Sequence, residues 1–229
     1  MSPPALSALL LTKAVLAAAV LAGLGVRRRW RRCWSVTAYL ASAVAFNAIA
    51  GLAPGQFFRW DFWLGAQIVQ GLLVLVVAAE LTLRIVRNLP GARPMARAAL
   101  LAALLLGLAV MWTGPPPRSG LAAHIASTLT PRLDVARTVV FVCLLVVTRA
   151  YRVPLDPWHH AVVTGLALYS ALAGVCGESL RVVGWSESDS LGSIVAAGYL
   201  LLLLYWNHAA WRTEPDVPEH VARRLWPWR

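Results

Sequence analysis

A single lysine, Lys13, stands inside the apolar run LLLTKAVLAAAV, residues 9–20, in a chain where every other one of its 21 Lys and Arg residues is arginine. An ammonium in apolar surroundings is costly unless water, a carboxylate or a ligand answers it. Other polar side chains interrupt apolar runs in the same way. Asn47 is one, and Gln67 and Gln70 are three apart and therefore on one face of a helix. Asp134 and Arg137 open one run, and Glu178 with Arg181 closes another. Amides, carboxylates and cations of this kind suit the recognition of a small polar or charged group. Covalent chemistry is not indicated, because the chain has no HExxH, GxSxG, P-loop, CxxC or DxxxD pattern. Lys13, Asn47, Gln67, Gln70, Asp134, Arg137 and Glu178 are therefore the expected ligand-binding residues, with no catalytic residue among them. The plainer reading is that Lys13 extends toward the headgroups, while Asp134/Arg137 and Glu178/Arg181 are i,i+3 pairs at helix ends.

The elements that position these residues follow from composition. Of 229 residues 59% are hydrophobic and 14% charged, with a mean hydropathy of +0.65. A soluble domain of that length has too much surface to cover to be so apolar. About 20 apolar residues make a helix that crosses the hydrocarbon. Seven segments meet this: 5–26, 34–53, 61–86, 96–113, 132–149, 158–180 and 191–209. The first is read as a retained span and not as a signal peptide, having no basic stretch before it. The fourth, containing ALLAALLLGLAVMW, is apolar all round and is expected to face lipid. The fold class is an all-α bundle of transmembrane helices over residues 1–211, followed by a short tail, 212–229.

Arginine placement orients the bundle. Fifteen arginines fall on one side: Arg27 to Arg32, those around 84–97, Arg149, Arg152 and the tail group; five fall on the other. The positive-inside rule then puts the N-terminus outside and the C-terminus in the cytoplasm. The net charge of +11 is thus a topology signal and does not imply nucleic acid as a partner. The tail, with Arg and Trp interleaved, suits the inner leaflet, so membrane lipids are the expected partners there.

Topology converts sequence position to depth. Lys13 lies about 12 Å along the first span at roughly 1.5 Å per residue, near the middle of an approximately 30 Å core. Asn47, Gln67, Gln70, Asp134, Arg137 and Glu178 all fall in the outer half, which predicts a cleft open to the outside with Lys13 at its floor. The inner half carries Glu80 and Arg84, a favourable i,i+4 pair. It also carries His159 and His160 in DPWHH and His208 in YWNHAAW, at one depth on consecutive helices. Facing imidazoles are what a b-type haem or a metal site uses. No His-x-x-His pattern is present, and histidine and tryptophan are ordinary at a membrane boundary, so no cofactor is expected. Of three cysteines, Cys176 sits beside the small residues Ser170, Gly174 and Gly177 and reads as helix packing. A retinal pigment is excluded because the seventh segment has no lysine.

The stretches AELTLRIVRNLPGARP, LDVARTVVFVCLLVV and YWNHAAWRTEP give the chain a resemblance to a family of uncharacterised bacterial seven-span integral membrane proteins. In topology it is also similar to the seven-span input modules of bacterial histidine kinases. The resemblance brings no activity with it; the outer cleft and the similar topology together lead to the expectation of a bacterial inner-membrane sensor or receptor-like module with a separate protein partner at the cytoplasmic face. Three other classes stay open: an accessory subunit of a larger complex, a haem or metal subunit using the inner histidines, and a small transporter. The orientation has a direct check. Alkaline phosphatase fused after Ser119 should be active in a bacterial host, and a fluorescent protein fused after Arg229 should fluoresce; the reverse pattern would invert the topology.

Overall fold

The computed structural model describes residues 3–31, 33–57, 59–87, 130–151, 153, 155–183 and 188–212, with the single residues 94 and 98. The described residues are helical, without strands. They form α1 (Pro3–Val26), α2 (Trp34–Leu52), the one-turn α3 (Pro54–Phe57), α4 (Trp60–Arg87), α5 (Thr130–Ala150), α6 (Pro157–Val183) and α7 (Ser188–Trp211). Five helices are long and apolar enough to cross a membrane, over Pro4–Val26, Trp34–Leu52, Phe62–Ile85, Pro157–Leu180 and Asp189–Trp211. Such a set suggests a multi-pass membrane protein. α5 coincides with the expected fifth span but has Arg132, Asp134 and Arg137 in its first two turns, which lower its apolarity. The expected fourth span and the tail beyond Arg212 lie outside the described residues.

Helix boundaries have local causes. Asp156 precedes Pro157, and its Oδ1 accepts from the Trp158 N–H at 2.9 Å, so an N-cap and a proline at the first helical position start α6 together. α2 has no cap of its own, since Cys33 makes no side-chain capping bond. Glu80 of the neighbouring helix α4 supplies one. Its Oε2 accepts from the Ser35 N–H at 3.1 Å and from the Ser35 hydroxyl, while its Oε1 accepts from Arg84 at 2.6 Å. A carboxylate at a helix N-terminus also meets the positive end of the helix dipole. Burial, reinforced by the Glu80 charge, pushes the Cys33 thiol up, so it stays protonated at the mouth of α2.

The six long helices pack as a ring in the order α1, α2, α4, α5, α6, α7 and back to α1. The closure runs between the first and last helices. Arg28 has φ 53, a left-handed conformation that ends α1 and turns the chain under the bundle. Arg29 is thereby buried, with 4% of its surface exposed. Its guanidinium donates to the carbonyls of Ala209 at 3.0 Å and Arg212 at 3.1 Å, at the C-terminal end of α7. Arg27 donates to the Trp211 carbonyl at 3.3 Å, and Trp211 Nε1 donates back to the Ala19 carbonyl at 3.2 Å.

Inside the ring, Trp206 makes edge contacts with Trp158 and Tyr39, each at 6.3 Å between centroids, and its Nε1 donates to the Ala161 carbonyl. Gly165 is what admits it: a Cβ there would lie 2.6 Å from Trp206 Nε1 and 2.5 Å from Leu202 Cδ1. Outward, Val15, Leu52, Leu83, Val146, Leu168 and Leu201 are all exposed, the apolar exterior that lipid requires. Arg29→Gln should lower unfolding stability in detergent by about 2 kcal/mol, because charged hydrogen bonds to helix-end carbonyls are lost. Arg27→Gln, more exposed, should stay within about 0.5 kcal/mol of the parent. Thermal unfolding of the two variants side by side checks this.

Candidate functional site

At the end of the ring away from Arg29, the helices enclose a cavity of about 550 Å³. All six long helices line it. α1 gives Leu10 and Lys13; α2 gives Tyr39, Phe46 and Asn47; α4 gives Trp63, Gln67, Gln70 and Gly71; α5 gives Arg137. α6 contributes Leu166, Tyr169, Ser170 and Gly177 among others, and α7 contributes Leu191, Val195 and Tyr199. Helical phase explains the choice. Trp63, Gln67, Gln70 and Val74 recur at spacings of three and four, as do Leu166, Tyr169, Ser170, Ala173, Cys176, Gly177 and Leu180.

Five of the seven residues expected from sequence, Lys13, Asn47, Gln67, Gln70 and Arg137, are therefore brought to one cavity. Glu178 is not among the residues lining it. It follows Gly177 by one position, a turn of about 100° on the helix, and so leaves the lining face. The Asp134 side chain lies outside the described residues. The floor of the cavity holds three tyrosines that polarity along the sequence did not mark. Lys13 Nζ lies 5.7 Å from the ring centroid of Tyr199, a cation–π arrangement. The Tyr39 hydroxyl donates to the Tyr199 hydroxyl at 3.4 Å, and the Tyr169 ring sits 5.4 Å from that of Tyr199. Three of the chain's five tyrosines thus gather beneath its one lysine. Their signal in the sequence was a phenol inside each of three apolar spans.

Other polar groups are already committed to local structure. Asn47 Nδ2 donates to the Ala43 carbonyl of its own helix at 2.7 Å. Arg137 reaches α4, where a Cβ at Gly71 would stand 3.0 Å from its Nη2, so the glycine makes room for the guanidinium. Among the described residues no carboxylate pairs with Lys13. The inner histidines do not converge: His159 is buried, whereas His208 is exposed on the outer face of α7 beside Leu204 and Trp211. His160 Nδ1 lies 3.5 Å from Thr164 Oγ1 of the same helix. Among the described residues, no group of three His, Cys, Asp or Glu side chains gathers as a metal site would need. Cys176 lines the cavity as a buried thiol among small and apolar neighbours.

The arrangement can hold a molecule that presents a polar group to Lys13 and the tyrosines and an apolar surface to Phe46, Leu166 and Val195. No family model, no curated protein and no solved structure matches the chain.

An ammonium among apolar side chains carries a stability cost that its removal relieves. Lys13→Met, which preserves length and drops the charge, should raise unfolding stability by about 1 kcal/mol, because an ammonium at mid-span is unfavourable. Thermal unfolding in detergent reads it, and a marked loss of stability would instead reveal a structural partner for the ammonium.

Proposed function

We propose that the chain is a seven-span protein of a bacterial inner membrane, with its N-terminus outside and C-terminus in the cytoplasm, acting as a sensor or receptor-like module. It takes a small ligand or lipid into the cavity beside Lys13 and passes a helix rearrangement to a separate partner at the cytoplasmic face. The observation that carries this reading is that every long helix of the ring contributes to one cavity. An occupant there touches all of them, and its binding energy can bias their mutual positions.

Two further features support the reading. α4 and α5 are neighbours whose first halves both border the cavity, so they run in the same direction. The chain between Arg87 and Thr130 therefore has the length of the bundle to return, and the apolar run 96–113 is long enough for that crossing. This favours seven spans. The output surface would be the Arg-rich end, where α1 and α7 are held together by Arg27 and Arg29. Those are also the two helices that carry Lys13 and Tyr199. A ligand wedged between ammonium and phenol therefore acts on the same pair of helices whose far ends are joined at the cytoplasmic face. The arginine distribution supports the orientation, and the bacterial inner membrane and the separate partner are part of the proposal.

The test is native mass spectrometry of the full chain purified from its own membrane in mild detergent. A defined small mass should accompany the parent and be missing from Leu166→Trp, whose larger side chain fills the cavity. A parent that carries no extra mass, or a variant that retains it, would count against the cavity as the site.

A further inference from the structure

The charge on the cavity wall narrows what it takes. Among the described lining residues the two that carry formal charge, Lys13 and Arg137, are both cations, and no Asp or Glu is present. Lys13 has the Tyr199 ring as its neighbour and no carboxylate partner among the described residues. A ring face tempers an ammonium by about 0.5–2 kcal/mol, less than burial at mid-span costs it. An incoming anion supplies the missing counter-charge, and the Tyr199 hydroxyl, which accepts from Tyr39, keeps its own proton to donate to an oxyanion.

Beside the amides of Asn47, Gln67 and Gln70, most of the remaining wall is apolar, with Phe46, Trp63, Leu166, Leu180, Leu191 and Val195 contributed by four helices. A fully hydrated inorganic anion gains nothing from such a surface, whereas an acyl chain does. At about 550 Å³ the cavity lies within the roughly 300–1,000 Å³ range of small-molecule sites.

The geometry points to an anionic amphiphile, a single acyl chain ending in a carboxylate or phosphate, held with its head at Lys13 and the tyrosine floor and its chain along the apolar wall. This rests on the reading of the cavity as a ligand site and names the class of ligand. Neutral amphiphiles of the same length bind worse because they leave the ammonium unanswered. The charge on Lys13 is thereby a specificity device, and the apolar wall supplies affinity for chain length.

The experiment measures equilibrium binding of tritiated palmitate to the full chain in phosphatidylcholine nanodiscs, competed by unlabelled palmitate, dodecyl phosphate, hexadecanol and inorganic phosphate. Palmitate and dodecyl phosphate should compete, with hexadecanol weaker by about tenfold or more and inorganic phosphate alone ineffective. Lys13→Gln should weaken palmitate by about tenfold while leaving the affinity for tritiated hexadecanol within about twofold, which also serves as its folding control. Lys13→Arg should keep palmitate binding. Hexadecanol competing as well as palmitate, or Lys13→Gln binding palmitate like the parent, overturns the anionic class and leaves the cavity reading standing. Competition by inorganic phosphate at equal strength overturns the amphiphile in favour of a free anion. Saturable binding of none of the probes overturns the cavity reading itself.

Discussion

The closure of the first helix onto the last by Arg29 is the constraint on which the rest of the bundle depends. An arginine with 4% of its surface exposed is expensive to bury, and it is tolerated because the last carbonyls of α7 have no helical partners and carry the negative end of the helix dipole. Each group satisfies the other's unmet demand. In a membrane, where apolar surface gives helices little reason to prefer each other over lipid, such paired polar demands and close small-residue packing decide which helices are neighbours. Glu80 on the N-terminus of α2 works by the same logic with the opposite sign.

Ring closure at one end determines what is left at the other. Around Trp206 and Trp158 the interior is filled by large rings, and Gly165 gives up its side chain so that they fit. Toward the starts of α1, α4, α5 and α7, and the ends of α2 and α6, the inward residues become smaller or polar: Ser170, Ala173, Gly177 and Gly71 stand beside Asn47, Gln67 and Lys13. The same six helices thus enclose a packed core and a cavity in series. The tyrosines lie at the boundary, with Tyr39 touching both Trp206 below and Tyr199 above. Displacement at the cavity floor therefore has a rigid aromatic path toward the Arg-bearing end.

Much of this was legible in the sequence because a bilayer restricts the options. Apolar runs gave helices, breakers gave their ends, and depth alone grouped Lys13, Asn47, Gln67, Gln70 and Arg137, which line the cavity together. Depth says nothing about the direction a side chain faces around a helix. That is why Glu178, at the right level but off the lining face of α6, does not line it, and why His159 and His208 share a level without sharing a surface. Tyrosines 39, 169 and 199 escaped because a phenol ring scores as apolar while its hydroxyl is not. Arg29 was hidden by its company: among five neighbouring arginines it read as a topology marker, and only the left-handed turn at Arg28 separates it from them.

The parallel pairing of α1 with α7 carries a consequence for synthesis. A ribosome delivers Lys13 to the membrane nearly two hundred residues before Tyr199, the residue that shields it. Until then α1 can lean on α2, through contacts such as Leu11 against Gly51, but its ammonium and the Arg29 guanidinium both lack their destinations. Without its last helix the bundle is an open arc, with Lys13 lacking the Tyr199 ring and Arg29 lacking the carbonyls that answer it, so the enclosed chamber requires the whole chain.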